Sequence, residues 1–103
     1  MKVVLISVLF ILSLQAHADN SRELCKGFGE IAELIMTHRQ NGTPMDVIID
    51  KIDKEPALKD IGESLAISAY ETSRFSTEKM KQRKITEFKN AVYLECLKGS
   101  KGN

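Results

Sequence analysis

"HRQNGTPMD", residues 38–46, decides how this chain folds, because it ends one helix and begins another with nothing in between. Asn41-Gly42 is a helix stop, since glycine takes the left-handed conformation after a helix at no steric cost. Thr43-Pro44-Met45-Asp46 is a helix start. Thr43 can cap, Pro44 suits the first helical position with its fixed φ, and Asp46 meets the positive end of the helix dipole. A helix stop needs no particular polar residues before it, so Arg39 and Gln40 stand out. Arg39 carries a guanidinium fork suited to a carboxylate or to exposed carbonyls. It is expected either to pair with an acid such as Asp46 across the turn or, with Gln40, to form a recognition corner.

Working upstream, Asn20-Ser21-Arg22-Glu23 reads as a capping box. Leu24, Phe28, Ile31, Ala32 and Ile35 then recur every three or four residues, which predicts an amphipathic helix over about 22–40. Downstream, Met45, Ile48, Ile49 and Ile52 give the buried side of a short second helix, stopped ahead of Pro56. Pro56 opens a third helix with Leu58, Ile61, Leu65 and Ala69 as its stripe. Gly62 within it implies close packing or a kink. Residues 72–76 form a polar break. Ser76 or Thr77 caps a fourth helix running to about residue 98, striped by Ile85, Phe88, Val92 and Cys96 and ended by Gly99. Residues 100–103 are expected to be a disordered tail. No two-residue alternation occurs, so the fold is expected to be an all-α small four-helix bundle with short second and third helices.

The first eighteen residues are set apart from this domain. Lys2 precedes an apolar run at residues 3–14, and Ala16-His17-Ala18 is a small-x-small site, which together predict a cleaved signal peptide cut between Ala18 and Asp19. The run is shorter than the roughly 20 apolar residues of a spanning helix. The remaining domain, residues 19–99, is small enough that a staple is expected. The chain's two cysteines, Cys25 and Cys96, supply one, since export leads to an oxidising compartment, periplasmic or secreted. In an up-down-up-down bundle the start of helix 1 and the end of helix 4 share one pole, so the Cys25–Cys96 disulfide agrees with the topology.

Without its leader the chain carries fourteen basic and fourteen acidic residues, which gives no overall electrostatic case for nucleic acid or an anionic membrane. The charge is segregated: residues 19–73 hold eleven acids against six bases, and residues 74–103 hold three against eight. Lys79, Lys81, Arg83 and Lys84 form a basic run without the interleaved aromatics that stacking on nucleic acid requires. They read as a solvated face, a complement to the acidic helices, or a partner contact. His38, alone after processing, suits the last carbonyls of helix 1 and lacks the companions of a triad or zinc site. Asp46, Asp50 and Asp53 share a helix face but not the spacing of a calcium loop. No metal, cofactor or catalytic set is expected.

A cysteine near the start of the processed chain, Arg39-Gln40-x-Gly42 at a helix corner, and Tyr93-x-x-Cys96 near the end resemble a pattern in small exported helical single-disulfide proteins of Gram-negative bacteria and their phages. The resemblance spans most of residues 19–103. It implies a periplasmic helical protein with one disulfide and carries across no activity and no catalytic residue. The leading expectation is therefore a non-enzymatic protein that binds another envelope protein as an inhibitor, immunity factor or modulator. Arg39, Gln40, Lys79, Lys81, Arg83 and Lys84 are its candidate contacts. The alternative is a small periplasmic chaperone or stress protein using Met36, Met45 and Met80 as an adaptable patch.

Overall fold

The computed structural model describes residues 2–102, with side chains described for residues 21–100. The architecture is all-α: α1 (Lys2–Gln40), α2 (Met45–Asp53), a 3₁₀ turn (Pro56–Leu58), α3 (Lys59–Glu71) and α4 (Glu78–Gly102), with no strand among the described residues. Among those residues no helix is long and apolar enough to cross a membrane.

The organising contact is an antiparallel seam between α1 and α4. Cys25 faces Cys96, Gly29 faces Tyr93, and Glu33 pairs with Lys89 at 3.4 Å, so each step along α1 matches a backward step along α4. On α1 the buried line is Cys25, Gly29, Ala32, Met36 and Gln40, spaced four, three, four and four, which is one face of an α-helix. Its first three members are small, and that lets the two backbones approach where the disulfide joins them, Cα–Cα 5.4 Å across 71 residues. Cys25 is fully buried. The Ser100 hydroxyl donates to the Cys96 carbonyl at 3.1 Å and lies 3.7 Å from Cys25 Sγ.

The apolar core lies toward the other pole, where all four helices meet. Ile35 and Met36 from α1, Ile48 and Ile52 from α2, Leu65, Ala66 and Ala69 from α3, and Ile85 from α4 form it. Gly62 is the point at which α2 docks on α3. A Cβ there would stand 2.7 Å from Ile52 Cγ2, so this glycine serves close packing. Ile52 is branched at Cβ and has little rotamer freedom to retreat.

The ends of the elements depart from the sequence reading in four places. Helix α1 runs without a break through Asn20, so no helix begins there and the capping box has no end to cap. The expected cut between Ala18 and Asp19 falls where side chains lie outside the described residues. Thr43 does not cap α2, whose first turn has no side-chain cap; its hydroxyl shares a 3.0 Å hydrogen bond with His38 Nδ1 instead. Pro56 begins a 3₁₀ turn, with α3 following at Lys59. Gly99 does not stop α4, which continues to Gly102, because a glycine lowers helix propensity without forbidding helix. The expected tail is helical through Gly102, and Asn103 lies outside the described residues. Of the two expected caps for α4, Ser76 and Thr77, it is Thr77 that accepts from the Met80 amide, at 3.2 Å.

Two outcomes test this packing. Replacing Cys25 and Cys96 together by serine is expected to lower unfolding free energy by about 4 kcal/mol in the chain-entropy account of a long closed loop, read from urea midpoints. Gly62→Ala should destabilise by about 1–2 kcal/mol through overpacking. In an Ile52→Ala background, where the clash is gone, the same change should be neutral or stabilising. Equal effects in both backgrounds would contradict the contact.

Candidate functional site: a polar corner and an apolar groove

The corner at residues 38–46 ends α1 as a Schellman motif. The Thr43 amide donates to the His38 carbonyl at 2.9 Å, the Gly42 amide to the Arg39 carbonyl at 3.1 Å, and Gly42 has φ +85°. This satisfies carbonyls that a helix end leaves open. Arg74 adds a third closure: its Nε donates to the Gln40 carbonyl at 3.4 Å, and its guanidinium lies over Gly42, 3.0 Å from where a Cβ would stand. A cation at the negative end of α1 is also electrostatically favourable.

The two residues that the stop left unexplained are used from the inside. Gln40 is fully buried. Its Nε2 donates to the Ser73 carbonyl at 2.9 Å, with Met36 Sδ 3.6 Å away, and its Oε1 accepts from the Phe75 amide at 2.9 Å. The Phe75 N–H needs an acceptor and the Ser73 carbonyl a donor, so the carboxamide fits in one orientation only. Arg39 does not pair with Asp46, which is exposed. Its Nε donates to the Thr72 carbonyl at 2.9 Å, and its guanidinium lies 5.2 Å from the Tyr70 ring centroid. The Tyr70 hydroxyl donates to the Thr43 carbonyl at 2.6 Å. Burial pushes the Tyr70 phenol above its ordinary value, and the nearby Arg39 cation opposes that rise. The last turn of α1 thus supplies partners for the backbone of the α3–α4 connection. Gln40 has no surface with which to meet a partner, which corrects its place among the candidate contacts.

The basic run is divided rather than gathered. At about 3.6 residues per turn, Lys79 and Arg83 fall on one face of α4, and Lys81 and Lys84 on another. Lys81 pairs with Glu78 at 3.9 Å, and Arg83 and Lys84 both reach Glu87, at 3.4 and 3.3 Å. Lys84 also stands 5.6 Å from the Phe75 ring centroid. The hydrogen bond and charge of Lys84, with help from Arg83, hold the exposed Glu87 carboxyl below its usual range. These three bases are therefore engaged by acids of their own helix and not by α2 or α3. Asp46, Asp50 and Asp53 are all exposed. Among the described residues no three His, Cys, Asp or Glu come close enough to hold a metal ion.

The concave feature lies elsewhere. An open groove of about 470 Å³ runs between α3 and α4 over the side of α1. Phe28 comes from α1, Ile61, Leu65 and Ser68 from α3, and Phe88, Ala91, Val92, Glu95 and Cys96 from α4. It falls in the size range of binding pockets and has their usual mixture of apolar walls and a few polar groups. The groove opens because α3 and α4 both pack on α1 without closing on each other, while α2 packs on the Gly62 face of α3 and lines none of it. Leu65 is buried in the core as its stripe implies, while Phe28, Ile61, Phe88 and Val92, on stripes of the same kind, are only partly buried and face the groove, because a helical stripe reports an apolar face and not what covers it.

Comparison of the chain with known protein families, curated proteins and solved structures returns no match.

The corner generates one prediction. Gln40→Ala should cost about 2–3 kcal/mol, since it strands the Ser73 carbonyl and the Phe75 amide. Gln40→Glu should be worse than alanine at neutral pH, because a buried carboxylate cannot donate to Ser73. Burial raises the carboxyl's folded pKa, so this deficit should shrink as pH falls and the protonated acid regains a donor. Denaturation midpoints at pH 7 and pH 4.5 separate the two variants; a Gln40→Glu protein as stable as wild type at pH 7 would show that the carboxamide is not a clamp.

Proposed function

We propose that this chain is a small exported, non-enzymatic protein that binds another protein of the cell envelope as an inhibitor, immunity factor or modulator. The observation that carries the reading is the apolar groove between α3 and α4, a concave surface larger than single scattered apolar residues would make. Leu24, Ile67 and Leu94 add exposed apolar area elsewhere on the same three helices, each more than half exposed. The disulfide supports an oxidising compartment, as does the leader-like pattern of residues 1–18. The contact surface moves from Arg39 and Gln40 to the groove, with Lys79 and Arg83 left on an outer face of α4.

The test uses oxidised protein purified from cells that export the full chain. Its intact mass should correspond to a start at Asp19. Incubated with envelope extract, it should retain one partner in stoichiometric amount, and Ala91→Arg should abolish that retention. Ala91 is exposed and lines the groove, so arginine there fills the groove without entering the core. Retention unchanged by Ala91→Arg would remove the groove from the function, and many weakly held proteins would favour a chaperone.

A further inference from the structure

We infer that the groove receives an amphipathic α-helix of the partner, its apolar residues at i, i+4 and i+7 and a lysine or arginine meeting Glu95. This rests on the reading that the partner is a protein and adds what part of it binds, in which conformation and with which charge.

The length of the groove sets the first constraint. On α3 the lining residues Ile61, Leu65 and Ser68 are spaced four and three, and on α4 Phe88, Val92 and Glu95 repeat that spacing. Each wall is therefore seven residues long, about 10 Å of helix axis, which matches two turns of a third helix laid between them. Both walls rest on α1, and no residue of α2 enters the slot they frame.

Backbone hydrogen bonding sets the second. Every lining residue lies within a helix, and Ser68 and Glu95 are the only lining side chains with an oxygen to offer. An extended peptide lying there would lose its amide partners from water and find almost none in the walls, at a cost for each group left unpaired. A helix brings its backbone bonds with it and presents only side chains.

Charge sets the third. Glu95 is the sole ionisable residue of the lining, and it sits at the pole where the disulfide closes the seam. Its partner is Lys98, 3.6 Å away one turn along the same helix, with both side chains about two-thirds or more exposed. A pair that exposed contributes little, so the carboxylate is free to exchange it for a cation on an incoming helix. An acyl chain would use the apolar walls, but its carboxylate would find only the Ser68 hydroxyl as a donor among the lining side chains.

The experiment selects from a displayed library of random sixteen-residue peptides against oxidised full chain, with Ala91→Arg protein used to discard background binders. Enriched peptides are expected to share apolar residues at i, i+4 and i+7 and a basic residue beyond them. A proline placed centrally in the best peptide, labelled for fluorescence anisotropy, should weaken binding at least roughly tenfold, since it breaks the helix. Glu95→Lys should weaken that peptide about fivefold, and a peptide with its base changed to glutamate should recover the loss on the variant. Extended or proline-tolerant binders, or no enrichment, would overturn the inference. So would displacement of the peptide by dodecanoate at lower concentration than the peptide itself requires, or a wild-type dimer in sedimentation that Ala91→Arg dissociates. An envelope partner lost on Ala91→Arg while no helical peptide is enriched would sink the helix and leave the broader reading standing.

Discussion

One carboxamide holds the corner of this molecule together. Gln40 is the last helical residue of α1, fully buried, and its two polar atoms answer two backbone groups of the segment that links α3 to α4. Without it that segment has a carbonyl and an amide with no partner, and the start of α4 loses its position relative to α1. Arg39 and Arg74 work in the same direction from either side, one reaching the Thr72 carbonyl and the other closing the end of α1 itself. The stop at Asn41-Gly42 and the crossing from α3 to α4 are therefore one structure. A turn that looked local in the sequence is half of a contact spanning more than thirty residues.

That explains what was legible in the chain and what was not. Helix content, the antiparallel run of α1 and α4, and the pairing of Cys25 with Cys96 followed from hydrophobic periodicity and from cysteine count, because each is encoded in residue type and spacing. A cap for α4 at Ser76 or Thr77 followed for the same reason, and the structure uses Thr77. The role of Gln40 did not. A polar residue before a glycine stop looks solvent-facing, and burial is decided by which distant backbone groups need a donor and an acceptor. Arg39 read as a fork suited to a carboxylate or to exposed carbonyls, and that it meets the Thr72 carbonyl rather than an acid was a property of the fold. Gly99 was misleading in the opposite sense: glycine marks a stop only where packing or capping enforces one, and nothing does so at the exposed end of α4.

The groove shows a further limit of pattern reading. Phe28, Ile61, Phe88 and Val92 sit on helical stripes that any reading assigns to a core, and in a closed four-helix bundle they would be part of one. The groove stays open because α3 and α4 both pack on α1 without closing on each other, and α2 packs on the Gly62 face of α3, away from Ile61 and Ser68. Whether an apolar stripe is covered was thus settled by how the helices are arranged around α1, which no single stripe encodes.

The two walls of the groove differ mechanically. Helix α4 is fastened at both poles, by the Cys25–Cys96 bond at one and by the Gln40 contacts just before its first turn at the other. Helix α3 is held by noncovalent contacts alone, near its start through Gly62 against Ile52 and at its C-terminal end through Tyr70, Thr72 and the Ser73 carbonyl. The Phe88 and Val92 wall is thus tied covalently to α1 beside Glu95, whereas the Ile61 wall depends on packing and hydrogen bonds.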